Sequence, residues 1–496
     1  MNYFPLKTKH IDIDTDDGFK VVVNDNTALK YSLKNKDTIY FYFNNQEVYA
    51  EVFTTASLLG DDEIGLCQGL REIYDIPENE ILKIYFAEES LGLKAIHKKL
   101  LGNRLTYEDC LNIMNDLVVN KINDVETAFF IALGFQKNPF TIQELCYLSK
   151  AQAVVGDCLK FNGIVADKHS VGGLSGNRTT PIVVAIVASF NIIIPKTSSR
   201  AITSVAGTAD TLETIMDVSF STNEIYKLIE KNNACMIWGG AINLSPTDDI
   251  FIKITKDLGI EPTYKLITSI LSKKIATGVN RLIIDIPVNK TAKVKSIKEA
   301  LKVKKMFEKV SKFLKIKTKV IISKSTGIIG NGVGPALEIR DVLRVLQQKE
   351  NRSIDLEDKA VNLAGSLLNL CGIKNGVKQA RESLKTGKAL LKFREIIDAQ
   401  NGDYNIDSED IQLAKYSYEF KLNKKGIVPE YNNDDIVDLC KMLGAPQNKR
   451  SGIYFNKKTN ENYTYDDVIF TIYSDNESRI NIAKDIIKET FDPLFK

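Results

Sequence analysis

Residues 163–181, GIVADKHSVGGLSGNRTTP, decide how this chain is read. A short apolar strand, GIVAD (163–167), runs into a glycine-rich segment, and TTPIVVAIVASF (179–190) follows as a buried helix. Strand, glycine loop and helix N-terminus together form a concave anion site. The first-turn amides point outward, and Gly172, Gly173 and Gly176 let the backbone curve round a ligand. Lys168 adds charge, while Ser170, Thr179 and Thr180 add hydroxyl donors. That equipment suits a phosphate.

The neighbouring sequence supplies the fold class. From about 163 to 345, apolar runs IIIPK (192–196), ACMIWGG (234–240), RLIIDIP (281–287) and KVIISKS (319–325) alternate with helical segments, among them residues 290–316. Such alternation builds an α/β domain on a mainly parallel sheet, with ligand loops at the strand C-termini. STNE (221–224) is a capping box opening one of its helices. Residues 1–88 read as a small β-rich domain, with strands in FKVVVND (19–25), TIYFYFNN (38–45) and EVYAEVFTT (47–55). Residues 95–162 carry apolar positions at i, i+3, i+4 and i+7 and read as a helical domain. The α/β domain spans 163–244 and 281–404, and 405–496 form an α+β C-terminal region.

Composition narrows the function classes. A chain of 496 residues that is 44% hydrophobic and 26% charged is folded and multidomain. Lysine plus arginine (66) barely exceeds aspartate plus glutamate (63), so no global field draws in nucleic acid or a membrane, and any anion is held locally. The lysine-rich run from 290 to 312 lacks interleaved aromatics and reads as a solvated helix face. No charged start is followed by an apolar run, and the longest apolar stretch, Ile182–Pro195, is too short to span a bilayer. A cytoplasmic protein is expected. Seven cysteines without a CxxC pair and three scattered histidines indicate no metal, no disulfide framework and no cofactor.

Two familiar phosphate motifs fail. GxxxxGK[ST] needs four residues between its glycines, whereas Gly172 and Gly176 enclose three and Arg178 precedes Thr179; GNGVGP (330–335) ends in proline where GxGxxG needs a small residue. A second segment, PKTSSRAITSVAGTADTLE (195–213), also leaves a strand and is dense in hydroxyls around Arg200 and Gly207. Two such loops from one sheet can converge on one anion.

The segments DKHSVGG, KTSSRAITSVAGTADT, WGGAINLSPTDD (238–249), SILSKK (269–274) and GVGPALEIRDVL (332–343), in this order, resemble the thymidine phosphorylase family, and the N-terminal extension resembles its longer branch, which includes AMP phosphorylases. The resemblance implies cleavage of an N-glycosidic bond by inorganic phosphate as co-substrate. Phosphate would be held by Lys168, Ser170, Thr180, Ser198 and Thr208, with His169 facing the substrate. Substrate positions would be Gly173, Ser199, Arg200, Ala201, Ile202, Thr203, Ser204, Ser269, Lys273 and Lys293. Ser269 and Lys273 would meet the base, being one helical turn apart and so on one face. The resemblance also implies a homodimer through the helical domain, a chain that returns to that domain near 245–280, and closure of the two parts over the substrate.

Two departures stand out. The AMP branch has a proton-donating aspartate where this chain has Glu261, and the short-form arginine on the base is absent, leaving Lys253 or Lys256 as substitutes. Breaking the bond builds positive charge on the sugar and negative charge on the departing base. Phosphate stabilises the first, and Lys273, His169 or a protonated Glu261 the second. To act as an acid near neutral pH, Glu261 needs a pKa raised from about 4.3 by burial. Lys168, beside a phosphate, is expected to stay charged. The first reading is phosphorolysis of thymidine or a related pyrimidine nucleoside. The alternatives are a nucleoside 5′-monophosphate phosphorylase and a nucleotide-binding protein without turnover.

Overall fold

Tyr3–His10 buries Phe4, Leu6 and Thr8 and turns Pro5, Lys7 and Lys9 outward, the period-two pattern of a sheet with one face in a core. In this computed structural model, which describes residues 3–15, 18–137, 139–201, 204–290, 292–324 and 327–495, that strand opens a closed six-stranded barrel. Its strands are β1 (Tyr3–His10), β2 (Lys20–Asn24), β3 (Thr38–Phe43), β4 (Gln46–Thr55), β5 (Glu63–Leu66) and β6 (Ile81–Phe86), in the order β1-β5-β2-β4-β3-β6. Closure leaves no sheet edge, and the interior is filled by Phe4, Val21, Ile39, Phe41, Val52 and Ile64.

Two compact units make up the chain, Met1–Gly156 with Ser245–Ser272, and Asp157–Leu244 with Lys273–Lys496. The barrel keeps its own core but belongs with the helices that follow it. Three of these helices, Tyr107–Val118, Asp124–Ala132 and Ile142–Val154, begin with capping boxes from Thr106, Asn123 and Thr141. Pro246–Asp257 and the part of the helix Thr263–Ala276 up to Ser272 return to this unit, where Tyr264 packs 4.4 Å from Phe140 and Phe251 lies 5.9 Å from Phe130, ring centre to ring centre. The return ends at Ser272, short of the expected 280.

In the second unit, β7 (Ala166–Ser170), β8 (Ile194–Ser198), β9 (Ala234–Trp238), β10 (Arg281–Val288) and β11 (Lys317–Lys324) are parallel. β11-β10-β7 and β8-β9 are joined by one parallel bridge, Val165 to Ile193. The helix Thr179–Ala188 is buried at all of its positions and shares its core with Val342, Leu363, Leu367 and Phe393. Residues 405–496 belong to the same unit rather than standing apart. Tyr416–Lys421, Gly452–Phe455 and Val468–Ser474 pair antiparallel, and Gly332–Val333, from the GNGVGP segment, is an added strand against Gly452–Phe455.

The structure shifts several sequence-assigned elements; the strand expected at 192–196, for one, lies at Ile194–Ser198. The strand expected at 163–167 lies at Ala166–Ser170, so Lys168, His169 and Ser170 are on the strand and not in the loop after it. Lys168 read as loop because a buried charge is costly, but here its ammonium donates to Thr179 and Thr180. The helix expected over 290–316 covers only Ile297–Phe313, with Ser296 accepting from the Glu299 amide as its cap.

Candidate active site

The strand ends bring the two hydroxyl-rich segments together. Carrying the Val165–Ile193 register five residues forward sets Ser170 level with Ser198 on the neighbouring strand. The helix Thr179–Ala188 starts beside them with no side-chain cap, so its first-turn amides remain open to an anion. Gly173 shapes the approach: its φ is +91°, and a Cβ there would sit 2.6 Å from the Lys293 backbone nitrogen.

Lys168 is buried at the centre of this corner and donates to Thr179 Oγ1 at 3.0 Å and Thr180 Oγ1 at 3.3 Å. Because both threonines accept from lysine, their own O–H groups stay available to a ligand. Ser170 donates to Asp285 Oδ2 at 3.2 Å. The Ser198 hydroxyl is buried without a partner, and a buried polar atom in that state points to a ligand that would satisfy it. Thr208 opens the short helix Thr208–Leu212 and accepts from Arg178.

Burial pushes the Lys168 ammonium down to about 7, only partly offset by the Asp285 carboxylate. That is the ligand-free protein; the expectation of a charged Lys168 concerns the lysine beside a bound phosphate. Lys196 is pushed by burial to about 8, although it donates to Asp167 Oδ1 at 3.1 Å and to the Lys168 carbonyl at 2.9 Å. Burial raises Asp167 and Asp285, but lysines outweigh it: Lys196 and Lys274 hold Asp167 low, and Lys359 and Lys168 hold Asp285 low. His169 is held well below its usual 6.5 by burial and then by Lys274, Lys196, Lys168 and Lys273. It is neutral at physiological pH. Strand alternation sends it to the face opposite Lys168 and Ser170.

Of the expected substrate residues, Ser199 and Arg200 are exposed and Ala201 is half-buried after β8. Arg200 grips Glu213 with both nitrogens, at 2.8 and 2.5 Å, and lies 4.5 Å over the Trp238 ring. The Ala201 and Gly207 amides both donate to Asp210 Oδ2 at 2.7 Å, and Ser204 donates to the Ala206 carbonyl. Ile202 and Thr203 lie outside the described residues. In the first unit Ser269 donates to Asp248 Oδ2 at 2.8 Å. Lys273 follows one turn later on the helix Thr263–Ala276, half-buried. Glu261, in the loop before that helix, is exposed, without the burial expected of it.

Sequence reasoning missed Asp167, Arg178, Lys196, Lys274, Asp285 and Glu338. A usable signal existed for three of them. A lone charge inside an otherwise apolar strand run, as in IIIPK, GIVAD and RLIIDIP, is either an error in the strand assignment or a paired buried ion. Among the described residues no cluster of histidine, cysteine and carboxylate side chains could hold a metal, and no helix is long and apolar enough to cross a membrane.

Residues 162–390 match the model of the glycosyl transferase family a/b domain, and 427–493 that of the pyrimidine nucleoside phosphorylase C-terminal domain. The AMP phosphorylase of Methanocaldococcus jannaschii is 37% identical over 481 residues, covering 96% of this chain and 95% of that one. The "Putative thymidine phosphorylase" of Legionella pneumophila (strain Corby) is 37% identical over 443 residues, 88% of this chain and 84% of that one. In fold alone, anthranilate phosphoribosyltransferase from Saccharomyces cerevisiae superposes with a TM-score of 0.51 at 20% identity, over 63% of this chain and 99% of that one. The chain belongs to the thymidine phosphorylase and AMP phosphorylase family of pentosyltransferases.

Proposed function

We propose that this protein cleaves the N-glycosidic bond of a nucleoside 5′-monophosphate of the AMP type with inorganic phosphate, giving free base and ribose 1,5-bisphosphate. The observation that carries the choice of substrate is the similarity to an AMP phosphorylase along 96% of the chain, N-terminal barrel included. That similarity favours the nucleotide over the thymidine reading, which came first from sequence.

Phosphate enters the corner of Lys168, Ser170, Thr180, Ser198 and Thr208. A dianion there raises the Lys168 pKa, so the lysine is fully charged in the complex. One phosphate oxygen attacks C1′ as the C1′–N bond breaks, and the fixed negative charge stabilises the cationic sugar. The bonding pair leaves with the base, whose negative charge falls to the residues at the family's base positions, Ser269 and Lys273, since Glu261 at the acid position is exposed. Neutral His169 serves as a hydrogen-bond partner and not as a charge. Gly173, Lys293 and the 199–204 segment hold the ribose 5′-phosphate side. The protein works as a homodimer and needs no metal or organic cofactor.

A second reading, phosphorolysis of thymidine or uridine, is favoured by the pyrimidine nucleoside phosphorylase C-terminal domain at 427–493. Incubating the purified protein with phosphate and each of AMP, CMP, thymidine and uridine, and quantifying base and sugar phosphate, decides between them. Base release from AMP with matching bisphosphate is expected. Turnover of thymidine alone would overturn the nucleotide reading.

A further inference from the structure

Arg178 is buried just ahead of the helix Thr179–Ala188, and protein groups occupy its guanidinium. Nε donates to Glu338 Oε2 at 2.7 Å, Nη2 to the Ala206 carbonyl at 2.8 Å, and Nη1 to Thr208 Oγ1 at 2.7 Å. Glu338, on the helix Pro335–Leu346, also accepts from Thr211 Oγ1 at 3.1 Å and from the Gly334 amide at 3.3 Å. One arginine thus ties together the loop after β7, the loop after β8 and the GVGPALE segment.

The geometry points to Arg178 as a positioning residue for the phosphate site, acting through Thr208. A threonine hydroxyl has one proton and two lone pairs. When Thr208 Oγ1 accepts from Arg178, one lone pair is used and the proton is left for another acceptor, which in the proposed complex is a phosphate oxygen. Without Arg178 the hydroxyl is free to rotate and can itself donate to water, losing its orientation before the anion arrives. Glu338 fixes the guanidinium plane, since a planar fork held on one side by a carboxylate has little freedom on the other. Lys168 likewise donates to Thr180, so both threonines are set as donors by nitrogen groups behind them. The inference rests on the proposed phosphate site.

The test is a double-mutant cycle on steady-state kinetics with phosphate and AMP varied separately. Arg178→Met is expected to raise the KM for phosphate on the order of tenfold, the loss expected for one oriented donor to a charged group, with the KM for AMP unchanged. Arg178→Lys should recover part of that loss. Thr208→Val should raise the phosphate KM alone, and add little once Arg178 is already Met. Additive losses would make Arg178 an independent phosphate ligand, and an equal rise in both KM values would make it a general structural residue; either result overturns the inference. A Thr208→Val variant with normal phosphate KM overturns the phosphate site itself, and the inference with it. If Arg178→Met does not fold because Glu338 is left buried and charged, Arg178→Met with Glu338→Gln removes both charges and permits the same comparison.

Discussion

Lys196 Nζ sits 3.1 Å from Asp167 Oδ1 with both side chains buried, while Lys274 holds the other carboxylate oxygen. One carboxylate therefore serves two buried ammonium groups. Asp167→Asn leaves both without a counter-charge and is expected to cost about 3–5 kcal/mol in urea unfolding at neutral pH. The deficit should shrink from about pH 7 to about pH 9. Lys196 already has a folded pKa of about 8, below its unfolded value, and losing Asp167 lowers it further, so the unfolded state binds more protons and the variant gains stability as pH rises. A deficit that stays constant over that range would show that the lysines keep their charge without Asp167.

Phosphate binding should take up a proton. Lys168 lies near 7 in the free protein and is raised by a bound dianion. At about pH 8, titration calorimetry in buffers of different ionisation heat should show net uptake, and phosphate affinity should weaken as pH rises through the free-protein value, by at most about tenfold per pH unit. Lys168→Met should abolish the uptake and most of the affinity.

Ser198→Ala separates binding from stability. Its hydroxyl has no hydrogen bond to lose in the free protein, so the melting temperature should hold or rise slightly. The KM for phosphate should nevertheless rise about fivefold to tenfold, since a donor to the anion is gone. A stability loss with unchanged KM would place Ser198 outside the phosphate site.

Gly207→Ala tests how tightly the second loop is folded. A Cβ at Gly207 would lie 2.2 Å from the Ser199 carbonyl oxygen and 2.4 Å from the Arg200 carbonyl carbon. Relieving that clash moves the loop bearing Thr208. A loss of roughly 1–3 kcal/mol in stability and a raised phosphate KM are expected together, read by denaturant unfolding and initial rates.

Glu261→Gln addresses the base end. The amide keeps size and polarity but cannot deliver a proton, and because the Glu261 side chain is exposed, kcat should change by less than about twofold. A fall on the order of a hundredfold would make Glu261 the proton donor after all.

Much of this was legible before any coordinates. The STNE capping box does open the helix Thr222–Asn232, with Ser221 and Glu224 bonded reciprocally, because a cap is settled by residues three apart. The glycine loop before Thr179 was recognisable for the same reason. The extent of β7 was not, since Asp167 read as the last residue of its strand and Lys168 as loop until the partners of the two are known. Those partners, Lys196, Lys274, Thr179 and Thr180, lie 11 to 107 residues away.

By itself the sequence determined the alternation of strand and helix, the two hydroxyl-rich segments at strand ends and the family to which they belong, because these depend on residue type and near spacing. Only the tertiary structure decided which charges are buried and against what. Arg178 meets Thr208 across 30 residues and Glu338 across 160, and parallel strand pairing leaves no local mark on the chain that would announce either contact.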